Sequence, residues 1–324
     1  MASEQKLDRF DRFLPADPWT NPWQDDGSYR VDYDLLVRLL TETTGTTQQS
    51  GIVAAATDVW AAEELRRAGF NEDEVWPRRT QPRILPRDIR NFVEGGALTQ
   101  ALRTEVEARY THSKARRALP AEGHVLGSAY TKQADVLIAS WAAGVELLIS
   151  TKTMLSSYQK NMRNRFEEAY GDAKNIRGRH PLAALGFLFV VGADVPENGL
   201  EFIVDMLRKL VREPDVYECC CLIVTEGPQG SEDAADEERG PDDEPAALVP
   251  VLEGDDSDGP IDDPAVDENP EAAATTAVSL IDQLVPDDLA PGHFFESLIR
   301  TALDRMPVAV YPEVRVRLEE ATSA

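Results

Sequence analysis

Residues 134–152 read ADVLIASWAAGVELLISTK, and this stretch decides the fold. Its two apolar runs, ADVLIAS and VELLIST, have strand character, and the segment WAAG between them is typical of a turn. The pattern predicts an antiparallel hairpin. If the hairpin pivots between Ala142 and Ala143, Asp135 lies directly opposite Ser150.

Side chains alternate between the two faces of a strand, which divides the second strand of this hairpin into two sets. One face is expected to carry polar groups: Glu146, Ser150 and Lys152. The other is expected to carry Val145, Leu147, Ile149 and Thr151. Asp135, Ser150 and Lys152 would then meet on one side of the sheet, and a slip of one residue in the register would separate them.

The sequence around the hairpin predicts an α/β fold of layered helices and strands. A long helix from about 157 to 176 is followed by the strand LGFLFVV, the helix GLEFIVDMLRKLV and the strand YECCCLIVT. Residues 1–77 are predicted as a helical N-terminal subdomain, with helices in YDLLVRLLTE and in DVWAAEELRRAGF, the latter ending at a glycine. The core is expected to span 78–226. Beyond 275, AVSLIDQLV and FFESLIRTALDRM are predicted as C-terminal helices that dock on the core, from 276 to 324.

The charge of the chain is concentrated in one segment. The formal net charge of the 324 residues is -25, but residues 226–271 hold eighteen acidic residues against one arginine, so this stretch contributes -17 and the remainder -8. Residues 227–275 have almost no large apolar side chains, which predicts a disordered acidic linker. Two roles stay open for it: a solubilising spacer, or an occupant of a basic cleft when DNA is absent.

Other signals narrow the class of protein. No apolar run approaches the roughly 20 residues needed to cross a bilayer, and the first residues lack the apolar region of a signal peptide, so a cytoplasmic protein is expected. The three cysteines are consecutive, at 219–221, and alternate between strand faces, which favours buried side chains over a metal site. The four histidines show no zinc-ligand spacing.

The residues AD at 134–135 and STK at 150–152, joined by an apolar hairpin, resemble the PD-(D/E)xK nuclease superfamily over roughly residues 98–226. The resemblance implies a restriction-endonuclease-like core, with a mixed central sheet flanked by helices, and a site that binds Mg²⁺ and activates water. The chain departs from the family pattern twice. Ala134 replaces the motif proline, and Ser150 replaces the second carboxylate.

A Ser-x-Lys form of the motif is similar to that of some type II restriction enzymes, in which a glutamate on the following helix supplies the missing carboxylate. That helix here carries Glu167 and Glu168, and the spacing from Lys152 favours Glu167. The resemblance therefore implies a catalytic set of Asp135, Lys152, Glu167 and Ser150, with Asp135 and Glu167 as the metal ligands. Glu105 or Glu107, on an earlier helix, is a further option for an outer carboxylate.

Basic residues suggest a nucleic-acid partner. From Lys152 to Arg179 there are seven Lys or Arg residues and three acids, on a helix rich in Asn and Gln, and from Arg78 to Arg117 there are ten against four. Such side chains contact phosphates and base edges, although a charged helix is also typical of a solvated surface. The residues predicted to bind DNA are Lys160, Arg163, Arg165, Lys174, Arg177 and Arg179.

Taken together, these features predict a Mg²⁺-dependent endodeoxyribonuclease that cleaves double-stranded DNA. A type II-like restriction or defence enzyme is the expected setting, with a homodimer and a cognate DNA methyltransferase as expected partners. Two alternatives stay open: a noncatalytic DNA-binding or scaffold protein that keeps the nuclease fold, and a protein that uses its acidic tract to bind basic partners.

Overall fold

The structure is a computed structural model that describes residues 6–15, 20–46, 51–109, 123–156, 158–227 and 277–323. The predicted acidic linker lies outside these residues, apart from its first residue. The same holds for the end of the basic stretch from Arg78 to Arg117, since residues 110–122 are also outside them.

The described chain alternates helices and strands. The helices are α1 (Tyr33–Thr41), α2 (Ile52–Ala68), α3 (Arg87–Glu94), α4 (Gln100–Ala108), α5 (Tyr158–Arg179), α6 (Glu197–Arg212), α7 (Pro291–Arg305) and α8 (Pro312–Thr322). The strands are β1 (His124–Leu126), β2 (Thr131–Gln133), β3 (Val136–Ser140), β4 (Gly144–Met154), β5 (Ala184–Gly192), β6 (Cys219–Glu226) and β7 (Ser279–Leu280). The α/β fold class and the helices and strands predicted between 134 and 226 are confirmed.

The main sheet is mixed and has the order β3-β4-β5-β6-β7. β3 runs antiparallel to β4, β4 to β6 are parallel, and β7 returns antiparallel to β6. β1 and β2 form a separate antiparallel hairpin. Because parallel strands end at the same edge of a sheet, Lys152, near the end of β4, lies at the carboxyl edge of the parallel strands.

Helices cover both faces of the sheet, so the strands are buried on both sides. One face packs against α1, α2, α7 and α8 around Trp60, Phe294 and Phe295. The other packs against α5 and α6 around Phe166, Phe187 and Phe189. The residues predicted as a separate N-terminal subdomain therefore share one core with the sheet. Gly69 ends α2 with a φ of 108°, as its position in the sequence predicted.

The β3–β4 hairpin has the predicted register near the site and a different one near its turn. Val136 pairs with Ile149, so the next position places Asp135 beside Ser150. Between Ile138 and Ala139 the register shifts by one residue, which leaves Glu146 as a β-bulge. From the bulge to the turn of the hairpin, each side chain of β4 therefore lies on the face opposite to the predicted one. Val145 packs with the α5 side, and Glu146 bonds to Tyr311 on the other side, so the predicted grouping of these two residues is wrong.

The C-terminal segment differs from its prediction. AVSLIDQLV does not form a helix: it contributes β7 and the short 3-10 turn Asp282–Leu284, and a second 3-10 turn, Asp287–Leu289, follows it. Leu280 pairs with Thr225, so this segment covers the edge of β6. FFESLIRTALDRM lies in α7 and docks on the core as predicted.

The arginines of the connector before α3, and those of α3 itself, do not form the basic surface that their number suggested. Each forms an ion pair with one or two acidic residues. These pairs neutralise the positive charges and hold the segment to the rest of the fold. The pairs are Arg78 with Asp73, Arg79 with Glu63, Arg83 with Asp8 and Asp11, Arg87 with Glu74 and Glu146, and Arg90 with Asp73 and Glu74.

Among the described helices, none is both long enough and apolar enough to cross a membrane.

Candidate functional site

Asp135 precedes β3 and reaches across the hairpin to β4. Its carboxylate accepts a hydrogen bond from the backbone N–H of Thr151 at 2.9 Å. On the opposite edge of β4, Thr151 pairs with Leu188 of β5. The pairing of β3 with β4 starts at Val136 and Ile149, so β3 does not reach Thr151, and the Asp135 side chain bonds to its N–H instead. This contact fixes the carboxylate beside Ser150 and Lys152, as the hairpin pattern predicted.

Asp58, on α2, brings a second carboxylate to the same residue. The hydroxyl of Thr151 donates a hydrogen bond of 2.5 Å to a carboxylate oxygen of Asp58. Thr151 therefore joins Asp135 through its backbone and Asp58 through its side chain. Asp58 is not among the residues predicted from the sequence. The available signal was an acidic residue in the otherwise apolar stretch IVAAATDVWAA, which becomes the helix face against β4.

The two carboxylates influence each other. Burial raises the pKa of Asp58 well above its usual range, and the nearby charge of Asp135 raises it further. Burial also raises the pKa of Asp135, whereas the positive charge of Lys152 opposes that shift. Both residues keep partial exposure to solvent. Two crowded carboxylates that remain accessible form a place where a cation would be stabilised.

Lys152 lies on the α5 side of β4, where Ser150 also lies, buried to 5 % exposure. Its ammonium is 3.8 Å from a carboxylate oxygen of Glu168, which also pairs with Arg165 at 3.1 Å. Glu167 is exposed, and no contact recorded for the described residues joins it to Asp135 or Lys152. The structure thus places Glu168 beside the lysine and not Glu167, which the spacing had favoured.

A hairpin that the sequence analysis did not predict adds a further cation. Lys132, on β2, pairs with Asp172 of α5 at 2.6 Å, and Tyr130 donates a hydrogen bond of 3.0 Å to the same carboxylate. The charges of Lys132 and Asp172 both act on Asp135, lowering and raising its pKa respectively, so this hairpin lies next to the site.

Asp58 and Asp135 are the residues here that could hold a metal ion. No group of three or more His, Cys, Asp or Glu side chains arranged to hold a metal exists among the described residues. Mg²⁺, however, is commonly held by one or two carboxylates while it keeps several waters and takes oxygens from a substrate phosphate. Asp58 and Asp135, both bonded to Thr151, supply two such carboxylates.

The basic residues of α5 divide into two groups. Arg163 and Arg165 lie in its first half, and Arg165 pairs with Glu168, the partner of Lys152, whereas Arg179 lies about 24 Å from Arg163 at 1.5 Å per residue. Lys174 donates to the backbone of Pro214. The side chain of Lys160 falls outside the described part.

Arg177 is buried to 6 % exposure and engaged within the fold. Its guanidinium pairs with Glu218 and donates to the carbonyl of Ala183 at 2.6 Å. This side chain holds α5 against the residues before β5 and β6, so we do not propose Arg177 as a DNA-binding residue.

The two outer carboxylates suggested on α4 pair with arginines of the same helical segment. Glu107 pairs with Arg103 at 2.7 Å, and Glu105 with Arg109 at 4.0 Å, both along their own helix. The apolar side chains of α4 pack with α3 in a small separate cluster.

Comparisons with protein-family models, with curated proteins and with solved structures find no match for this chain. A function therefore has to be argued from its own residues.

Proposed function

We propose that this chain is a Mg²⁺-dependent phosphodiester hydrolase that cleaves DNA, with Asp58 and Asp135 as its carboxylate ligands and Lys152 as the catalytic cation. One observation carries the proposal: two partly accessible carboxylates from distant parts of the chain bond to Thr151, and the next residue is a lysine whose charge opposes the rise in pKa of both. The resemblance of AD at 134–135 and STK at 150–152 to the PD-(D/E)xK pattern supports the same chemistry.

The roles follow from position and charge. A bound divalent cation would polarise a phosphoryl oxygen and lower the pKa of a bound water. Asp135 and Asp58 supply the negative charge that attracts such a cation, and their bonds to Thr151 orient both carboxylates. Lys152 presents a compact ammonium to the oxygens of the reacting phosphate, where it offsets the developing negative charge and positions the attacking water.

Asp58 replaces Glu167 as the second ligand in this proposal. Ser150 has only a hydroxyl where the motif has a carboxylate, and Glu167 has no recorded contact with the site among the described residues. Asp58 reaches the end of β4 from the opposite face of the sheet, so the missing carboxylate is supplied from α2 instead of α5.

The wider setting is part of the same proposal. A restriction or defence enzyme that acts on double-stranded DNA as a homodimer, beside a protective methyltransferase, fits the Ser-x-Lys pattern. Arg163 and Arg165, in the first half of α5, supply basic side chains for backbone phosphates.

Ser150 favours one second candidate, a DNA-binding or scaffold protein that has kept the fold and lost catalysis. Its buried hydroxyl takes the position of a motif carboxylate. The two functions differ in their response to Mg²⁺, since only the hydrolase cleaves.

The test is to incubate the purified full chain with unmethylated phage DNA in Mg²⁺ or in EDTA. Asp58→Asn, Asp135→Asn and Lys152→Ala serve as variants, and Glu167→Gln as the matched control. We expect Mg²⁺-dependent fragments from the native chain and the control, and a loss of at least about 100-fold in the three variants. Intact DNA throughout, with binding retained in a mobility-shift assay, would favour the noncatalytic candidate.

A further inference from the structure

The β1–β2 hairpin is fixed to α5 beside the candidate site. The side chain of Asn175, on α5, accepts hydrogen bonds from the backbone N–H groups of Ala129 and Tyr130 at 2.8 and 3.2 Å. Its amide nitrogen donates to the carbonyl of Tyr130 at 2.9 Å, and its own carbonyl accepts from the N–H of Ser128 at 2.8 Å. One buried residue thus holds the turn of the hairpin, through its side chain and its backbone carbonyl.

Two glycines permit this close docking. A Cβ at Gly127 would lie 2.3 to 2.4 Å from the side chain of Asn175, and a Cβ at Gly178 would lie 2.8 Å from Oγ of Ser128. Glycine within a helix costs stability, and Gly178 lies in the last turn of α5. The chain therefore gives up helix stability where the hairpin approaches, which indicates that the hairpin has one defined position.

Tyr130 is held at this position with its ring exposed. The residue is 46 % exposed, yet its hydroxyl bonds to the buried Asp172 and its backbone is clamped by Asn175. A ring immobilised in advance loses little conformational freedom when a partner stacks on it. Most of the other large aromatic side chains are buried in the two cores.

Lys132 lies two residues beyond Tyr130, on β2, and bonds to the same carboxylate, that of Asp172. Its ammonium is within 2.6 Å of Asp172, and its side chain is 22 % exposed. The hairpin therefore presents an aromatic ring and a cation together, next to Asp135. Successive bases and phosphates of a single strand offer the same pairing of a flat ring and a negative charge.

We propose that Tyr130 is a stacking platform for an unpaired base and that Lys132 binds the adjacent phosphate, so the substrate is DNA with an unpaired nucleotide beside the cleaved bond. This inference rests on the proposed function for its site and adds the substrate class. Flaps, gaps, single strands and bases extruded from a duplex all present such a nucleotide. A fully paired duplex without extrusion does not.

The test measures binding without cleavage. A duplex with a short 3′ flap, carrying 2-aminopurine as its first unpaired base, is titrated with the protein in Ca²⁺, beside a fully paired duplex. Stacking on a tyrosine quenches 2-aminopurine fluorescence. We expect quenching and tighter binding of the flap, and a loss of about 5- to 150-fold in flap affinity for Tyr130→Ala.

Three further variants separate stacking from general damage. Tyr130→Phe keeps the ring and should keep the quenching, and Lys132→Ala should weaken flap binding without abolishing it. Tyr170→Ala is the matched control, because Tyr170 is 42 % exposed on α5 but has its hydroxyl near Glu213. It should bind as the native chain does.

The outcomes distinguish this inference from the proposed function. 2-Aminopurine fluorescence that the native chain leaves unchanged, or equal losses of flap affinity in Tyr130→Ala and Tyr170→Ala, would overturn the stacking role even if Mg²⁺-dependent cleavage is found. Quenching that depends on Tyr130 in a protein that never cleaves would support the stacking role and overturn the hydrolase.

Discussion

Asp58 and Asp135 bond to the same residue, Thr151, although they lie on different elements and approach from different sides of β4. A fold gains nothing in stability from placing two carboxylates so close, because their charges repel each other. Lys152 offsets part of that repulsion. Arrangements that cost stability are typical of sites that bind or catalyse.

The first prediction concerns the stability of the protein without metal. Asp58→Asn removes a carboxyl group whose charged form is disfavoured by burial and by Asp135, and its amide oxygen can still accept the hydrogen bond from Thr151. In EDTA at neutral pH we expect the variant to unfold at a higher urea concentration, by about 0.5 to 2 kcal/mol in the free energy of unfolding. Asp34→Asn, at an exposed position on α1, is the control and should change little. A less stable Asp58→Asn protein would contradict the repulsion argument.

The second prediction concerns the bulge residue Glu146, which is 1 % exposed. Its carboxylate pairs with Arg87 at 3.2 Å and accepts a hydrogen bond from Tyr311, so it links β4 to α3 and to the C-terminal segment. Arg87→Met leaves a buried charge without its cation. We expect a loss of about 3 to 5 kcal/mol in the free energy of unfolding, measured with urea.

The control for this prediction is Arg103→Ala. Arg103 pairs with Glu107 at 2.7 Å, but both side chains are more than a third exposed, so its removal should cost less than about 1 kcal/mol. Similar losses in the two variants would show that burial of Glu146 does not determine the cost.

The residues nearest the hairpin could be predicted from the sequence because strand alternation is a local rule. It placed Asp135 beside Ser150 and put Ser150 and Lys152 on one face. The bulge at Glu146 could not be predicted, because it depends on the partners Arg87 and Tyr311, which come from distant segments.

The partners of the arginines and the position of Asp58 also could not be predicted from local sequence patterns. The sequence shows many arginines in the connector before α3 and in α3, but it does not show their partners. In the structure each of them pairs with an acidic residue. Asp58 interrupts an apolar stretch, which marks it as unusual, but only the packing of α2 on β4 brings it to Thr151. Long-range contacts of single side chains leave no periodic signal in a sequence.

The third prediction compares two glycines of α5. A Cβ at Gly171 would meet only the Tyr130 hydroxyl at 3.8 Å, an ordinary contact, whereas at Gly178 it would meet Ser128 at 2.8 Å. Gly171→Ala should raise the free energy of unfolding by about 0.5 to 1 kcal/mol through helix propensity alone. Gly178→Ala should not gain, because the hairpin must move. Thermal denaturation of both variants measures the difference, and equal gains would mean that the hairpin is loosely docked.

The fourth prediction concerns Glu64, which is fully buried on α2. Its carboxylate accepts hydrogen bonds from the N–H of Asp32 at 2.8 Å, from Arg67 at 2.6 Å and from the Tyr29 hydroxyl at 3.1 Å. Burial raises the pKa of Glu64 from 4.5 to about 7, and the charge of Arg67 limits the rise. In the unfolded chain the carboxyl returns to its ordinary pKa.

The sign of the pH effect follows from these two values. Between about pH 4.5 and 7 the folded protein keeps a proton on Glu64 that the unfolded chain has lost, so rising pH favours unfolding across this window. The full contribution is about 3 kcal/mol, and it stops changing above pH 7. Glu64→Gln carries no ionisable group and lacks this contribution.

Urea denaturation of the native chain and of Glu64→Gln at a series of pH values from 4.5 to 8 tests the prediction. The difference in the free energy of unfolding should shift in favour of the variant as the pH rises, by up to about 3 kcal/mol, and then level off. Taking the difference removes the titration of all other groups, including the Asp58 and Asp135 pair. Curves that stay parallel over this range would show that Glu64 is ionised throughout and that Arg67 fully compensates its burial.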